Sequence, residues 1–136
     1  MRPTLPPGGA RPILVVDDDE TLRRLVFWVL TDAGYSVMEA PNGAVALTRV
    51  QEAIPALILL DMRMPVLDGW TFARRYRTLP GPHAPIICVT AAVDGAEVAT
   101  RGAQIGAVGS LSKPFDLDDL LTIVRRYVPA PTDGLP

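Results

Sequence analysis

The chain has 136 residues, 49% of them hydrophobic and 21% charged, with a formal net charge of −2, 14 prolines and one cysteine. This composition excludes bulk disorder and a disulfide scaffold, and the charge balance argues against general attraction to nucleic acid or to a membrane surface. The longest apolar run, Ala53 to Leu60, is broken by Pro55 and falls far short of the ~20 residues of a membrane span, and no signal-like apolar segment follows Met1-Arg2-Pro3. The expected setting is soluble and cytoplasmic.

Prolines crowd both ends, so residues 1–12 and 129–136 are expected to be flexible tails around one domain, residues 13–128. Ile13 to Val16 is a short apolar run rich in β-branched residues, read as a first strand and ended by Asp17-Asp18. Leu22, Val26, Val29 and Ala33 recur at helical spacing, and Gly34 can close that helix. Tyr35 to Ala40 reads as a second strand, and Asn42 can cap a second helix with Leu47, Val50 and Ile54 on one face.

Leu57 to Leu60 is a continuously apolar strand followed by Asp61, and a helix is expected through Trp70, Ala73 and Tyr76. Ile86 to Val89 is a fourth strand that ends at Thr90. Asp94 to Ile105, with Gly102 inside it, reads as a soft helix. Val108 to Leu111 is a short fifth strand, and Asp116 can cap a last helix striped by Leu117, Leu120, Leu121, Val124 and Val128. Continuously apolar strands alternating with amphipathic helices imply a doubly wound α/β domain, its parallel sheet covered on both faces.

Ligands of such sheets bind outside the carboxyl ends of the strands. Asp17 and Asp18, Asp61, Thr90 and Lys113 all fall at those ends. Carboxylates held close repel one another, which calls for raised pKa values or a cation, and hard oxygen donors suit Mg²⁺. Lys113 is the only lysine among 13 basic residues, so a lysine at a strand end suggests a compact ammonium aimed at an anion. His83 and Cys88 read as a surface and a core residue, Trp28 as helix or surface packing, and Trp70 as a packing aromatic or a neighbour of the site. Arg74, Arg75, Arg77, Arg125 and Arg126 read as solvated helix faces.

Taken together, Ile13-Leu14-Val15-Val16-Asp17-Asp18, Leu59-Leu60-Asp61-Met62-Arg63-Met64-Pro65 with Asp68-Gly69, Val89-Thr90-Ala91 and Ser112-Lys113-Pro114-Phe115 resemble the receiver domain of two-component response regulators. The resemblance implies a flavodoxin-like sheet of five strands in order 2-1-3-4-5 with five helices. It implies Asp61 as phosphoacceptor, Asp17, Asp18, Asp61 and the Arg63 backbone carbonyl as the Mg²⁺ site, Thr90 and Lys113 as contacts of the phosphoryl group, and a cis Lys113-Pro114 peptide. Implied partners are a sensor histidine kinase or histidine phosphotransfer protein, docking on the first helix and nearby loops, and a downstream protein on the face of the fourth and fifth helices. Neither nucleic acid nor membrane is an expected direct partner. Taken as complete, the chain would be a stand-alone signalling phosphoacceptor that also dephosphorylates slowly.

One departure from the pattern is Ser110, where the family usually carries an aromatic ring three residues before the lysine. The output route is then expected to differ, with the soft segment Asp94 to Ile105 as a candidate mover. The Arg63 side chain reads either as a lid over the phosphoryl group or as a solvated loop arginine. Two other functions fit parts of the sequence. Asp17-x-Asp19-x-Thr21 also suits a haloacid-dehalogenase-like phosphatase using Asp17, and the same fold can serve as a phosphorylation-independent interaction module.

Overall fold

The computed structural model describes residues 11–91 and 95–129. Residues 1–10, 92–94 and 130–136 lie outside the described residues, and with them Asp94 and most of both expected tails. Pro12, assigned above to the leading tail, is buried, and its carbonyl accepts from the Ala56 N–H at 2.7 Å.

Five strands, Ile13–Val16 (β1), Val37–Ala40 (β2), Leu57–Asp61 (β3), Ile86–Ala91 (β4) and Ala107–Lys113 (β5), form one sheet in order β2-β1-β3-β4-β5. All pairings are parallel. The helices are Glu20–Asp32 (α1), Gly43–Glu52 (α2), Gly69–Thr78 (α3), Gly95–Arg101 (α4) and Leu117–Tyr127 (α5). Alternate strand residues explain the continuous apolar runs, because each face of the sheet has its own core. Ile13, Val15, Leu57, Leu59, Ile87 and Val89 meet Val26 and Leu30 of α1 and Leu120 and Val124 of α5. Leu14, Val16, Ile58, Leu60, Ile86 and Cys88 meet α2, α3 and α4 through Ala46, Val50, Phe72, Tyr76 and Val98. Five helices flank the expected sheet in the expected order.

Several boundaries differ from the sequence reading for local reasons. β2 begins at Val37 and not Tyr35, because the Tyr35 N–H is taken by Leu30 O at 3.0 Å and Gly34 N–H by Thr31 O at 3.0 Å. This is a Schellman end to α1, with Gly34 at φ 99°. Ile54 lies outside α2, since Pro55 turns the preceding residues away from the helix and Ala53 is already extended. The soft segment is not one helix: α4 stops at Arg101 and a 3-10 turn, Gly102–Ile105, completes it. A Cβ on Gly102 would sit 3.2 Å from that of Ala107, so the tight turn rests on that close approach. Asp116 occupies the N-cap position of α5 but makes no side-chain cap bond. Asp118 and Asp119 supply negative charge to that first turn instead. Asn42, Asp19 and Asp68 do cap their helices, accepting from Val45, Leu22 and Thr71 N–H groups.

The loop after β3 is held by close backbone approaches. A Cβ on Gly69 would lie 2.8 Å from Asp61 O and from Met62 Cα, and one on Gly43 would lie 2.8 Å from Leu67 O. Between them, Val66 takes φ 72° while Leu67 N–H donates to Pro65 O at 2.8 Å, a γ-turn centred on a β-branched residue. Val66 is 83% exposed, so its side chain gains nothing to offset that conformation. Val66→Asn is expected to raise the free energy of unfolding by about 1 kcal/mol, read from urea denaturation, because asparagine tolerates the left-handed region. No increase would show the turn to be unstrained.

Candidate functional site

Parallel pairing sets the site. Val16 lies beside Leu60, Asp61 beside Val89, and Ala91 beside Lys113, so the polar residues that end β1, β3, β4 and β5 emerge along one edge of the sheet. Three of these strands run further than their apolar runs suggested, β3 by one residue to Asp61, which still pairs with Val89. β4 continues through Thr90 to Ala91 and β5 through Ser112 to Lys113, because the ladder between them still pairs these polar residues.

Asp17, Asp61 and Thr90 are buried. Lys113 Nζ lies 3.1 Å from Asp17 Oδ2 and 3.2 Å from Asp61 Oδ2, bridging the two carboxylates. The second oxygen of each is held by backbone: Asp19 N–H donates to Asp17 Oδ1 at 2.9 Å, and Arg63 N–H to Asp61 Oδ1 at 3.1 Å. Asp18 is exposed at the rim, yet it offers a carboxylate oxygen within 4.8 Å of oxygens on Asp17 and Asp61. Thr90 Oγ1 is buried and makes no hydrogen bond, alone in this among the described residues. Lys113-Pro114 is cis, as the resemblance implied.

Burial, together with the nearby charge of Asp17, raises the Asp61 carboxyl to a pKa of about 6, against the opposing pull of the Arg63 N–H and Lys113. Burial works against the Lys113 ammonium, but Asp17 and Asp61 outweigh it and hold its pKa above the ordinary lysine value. Two carboxylates share the one ammonium, and a third, Asp18, stands beside them. That donor set, hard oxygens with Asp18 at the solvent rim, fits a divalent metal such as Mg²⁺, and the unbonded Thr90 hydroxyl is a donor suited to an incoming anion.

All five side chains selected from the sequence thus fall at one end of the sheet, with Asp17, Asp61 and Lys113 in direct contact. Arg63 is exposed and contributes its N–H to Asp61. Arg23, not singled out in the sequence, reaches the same end: its Nη1 donates to Asp17 O at 2.8 Å. Its place on α1 beside Arg24 gave no signal of this. Trp70 is half-buried and packs against the core, with the Arg101 guanidinium 4.6 Å from its ring centre. It lines a groove of about 490 Å³ together with Met62, Arg63, Met64, Pro65 and Val98. Trp28 is exposed, as is His83, whose Nε2 bonds Leu79 O. Cys88 is buried, and burial pushes its thiol up to about 11, which makes it unreactive near neutral pH.

Fold and pocket together define a flavodoxin-like domain with an acidic, lysine-bridged site. The family model of the response regulator receiver domain matches residues 13–125, and the chain belongs to that family. It is 33% identical over 117 residues to sporulation initiation phosphotransferase F of Bacillus subtilis, covering 86% of this chain and 93% of that protein. It is 39% identical over 114 residues to response regulator PleD of Caulobacter vibrioides, covering 83% of this chain but only 24% of PleD. Chemotaxis response regulator CheY4 of Vibrio cholerae superposes with a TM-score of 0.77 at 32% identity, over 88% of this chain and 99% of that one.

The chain is therefore a receiver domain with a phosphoacceptor role in two-component signalling, not a metabolic enzyme. The phosphatase alternative is not favoured. Receiver domains of this family interact with histidine kinases or phosphotransfer proteins and with downstream targets. Among the described residues, no helix is long and apolar enough to cross a membrane.

Proposed function

We propose that residues 13–128 act as one receiver unit in which Asp61 accepts the phosphoryl group from a sensor histidine kinase or a histidine phosphotransfer protein. The observation that carries this reading is the Lys113 ammonium held between two buried carboxylates. In the transfer, an Asp61 carboxylate oxygen forms a bond to phosphorus as the bond from phosphorus to the donor imidazole nitrogen breaks. A carboxyl with a pKa of about 6 is mostly ionised at pH 7.5, and more basic than an ordinary aspartate. Lys113 and the Thr90 hydroxyl then face the phosphoryl oxygens, supplying the charge and the hydrogen bond that the product needs.

Asp17, Asp18, Asp61 and the Arg63 backbone carbonyl are the groups that would hold Mg²⁺. When bound, the ion supplies positive charge that offsets the negative charge of the transferring group. Water attacking phosphorus, with the acyl oxygen leaving, would restore Asp61 and end the signal. Output is proposed through the face of α4 and α5, with donor docking at α1, and the setting is proposed to be the cytoplasm. Because Ser110 is exposed and brings no ring to β5, the Trp70–Arg101 contact between α3 and α4 is the coupling we favour.

The test is labelling by a small acyl phosphate with Mg²⁺, the modified residue located by mass spectrometry. Label on Asp61, absent from Asp61→Asn, is the expected result. Label on Asp17 would support the phosphatase reading. No Mg²⁺-dependent label at all would support a phosphorylation-independent module.

A further inference from the structure

We infer that Arg23, braced by Glu39, is a positioning residue that fixes Asp17 for cation binding; the inference rests on the metal reading proposed above. β1 ends at Val16, so the Asp17 carbonyl lies beyond the last residue of that strand. The Arg23 guanidinium takes that carbonyl, Nη1 donating at 2.8 Å, while its Nε donates to Glu39 Oε1 at 3.3 Å. This side chain is only 12% exposed and that of Glu39 18%, so the pair is shielded compared with Arg24, which is 47% exposed and also meets Glu39. Glu39 is itself anchored, since it stands on β2 opposite Val15 and its backbone carbonyl accepts from Arg49 Nε at 3.2 Å.

Asp17 is consequently held at every polar atom. Its N–H donates to Ala40 O at 3.1 Å, its carbonyl accepts from Arg23, Oδ1 accepts from Asp19 N–H, and Oδ2 meets Lys113. Removing the guanidinium releases one of these four restraints, and the carboxylate loses its fixed aim. Groups that orient ligands in this way commonly change metal affinity by about 10- to 100-fold when removed.

Electrostatics alone predicts the opposite. Arg23 is a positive charge near an acidic pocket, so Arg23→Met should tighten cation binding if charge were its only role. The experiment titrates Mn²⁺ into wild type, Arg23→Met, Arg23→Lys, Glu39→Gln and Arg24→Met, reading free Mn²⁺ by electron paramagnetic resonance. It also measures amide exchange at Asp19 without metal. Arg23→Met is expected to weaken Mn²⁺ binding about tenfold and to speed Asp19 exchange, with Glu39→Gln and Arg23→Lys intermediate and Arg24→Met within about twofold of wild type. Should Arg23→Met fail to fold, Glu39→Gln and Arg23→Lys carry the same comparison. Unchanged or tighter binding in the folded variants, with Asp19 exchange unaltered, would overturn the role. Failure of wild type to bind Mn²⁺ would overturn the metal reading itself, and this inference with it.

Discussion

Asp61→Asn is expected to make the metal-free protein more stable at pH 8 by about 2–3 kcal/mol, and to lose that advantage as the pH is lowered toward 4. The cause is the carboxyl whose pKa is raised from 3.8 to about 6, first by burial and then by Asp17. A group with a raised native pKa binds its proton more tightly when folded. Its contribution is therefore fully present below the unfolded value near 4, and is lost as the pH rises through about 6. Asparagine has the same shape and no charge to desolvate, and Lys113 keeps Asp17 at 3.1 Å as a partner. Urea denaturation in EDTA at pH 4, 6 and 8 measures the gap. A gap that stays constant with pH would show that Asp61 is not strained by ionisation.

Lys113→Met is the complementary change. It leaves the buried Asp17 and Asp61 facing each other without their shared cation, and breaking such a pair costs roughly 3–5 kcal/mol when fully buried. The Lys113 side chain is 28% exposed, so solvent screening reduces the expected loss to about 2 kcal/mol. The effect on labelling is larger in proportion, on the order of a 100-fold slower reaction at Asp61, because one preorganised donor to the transferring group is gone. A labelling rate within threefold of wild type would remove Lys113 from the reaction. Lys113→Arg is expected to recover stability better than rate, since a forked guanidinium is bulkier than an ammonium seated between oxygens 3.1 and 3.2 Å away.

The two variants pull the same pocket in opposite directions, which is informative about its design. A site that stores one carboxylate too many for its environment is less stable than it would be without that charge, and the surplus charge is what an acceptor of phosphoryl groups needs. Local rules are broken nearby as well. Val66 holds a left-handed turn that a different residue would occupy at lower energy, and Gly43 and Gly69 let the backbone of the β3–α3 loop approach where any Cβ would collide.

Much of this was legible in the order of residues. A strand covered by helices on both faces must be apolar throughout, so β1, β3 and β4 announced themselves, and the first polar residue after each run marked the end of the sheet where side chains can gather. The lysine count singled out Lys113 for a similar reason, since only one position in the chain uses an ammonium. The helix start at Asn42 was equally readable, because a short acceptor at the N-cap acts on its own neighbours.

What the linear pattern determined, then, was the alternation of strands and helices, the order in which polar groups leave the sheet, and the kind of chemistry those groups suit. Only the folded chain decided how they act on one another. The raised Asp61 carboxyl depends on burial in the folded domain and on Asp17, more than forty positions away in the chain, Tyr35 is withdrawn from β2 by the end of α1, and Asp116 forgoes the cap its type suggests. Arg23 and Arg24 stand side by side in the chain, yet one is shielded against Asp17 while the other meets solvent. Local patterns follow from interactions that span three or four residues, whereas pKa values, shielding and bridging contacts arise from distances that exist only once the sheet has closed.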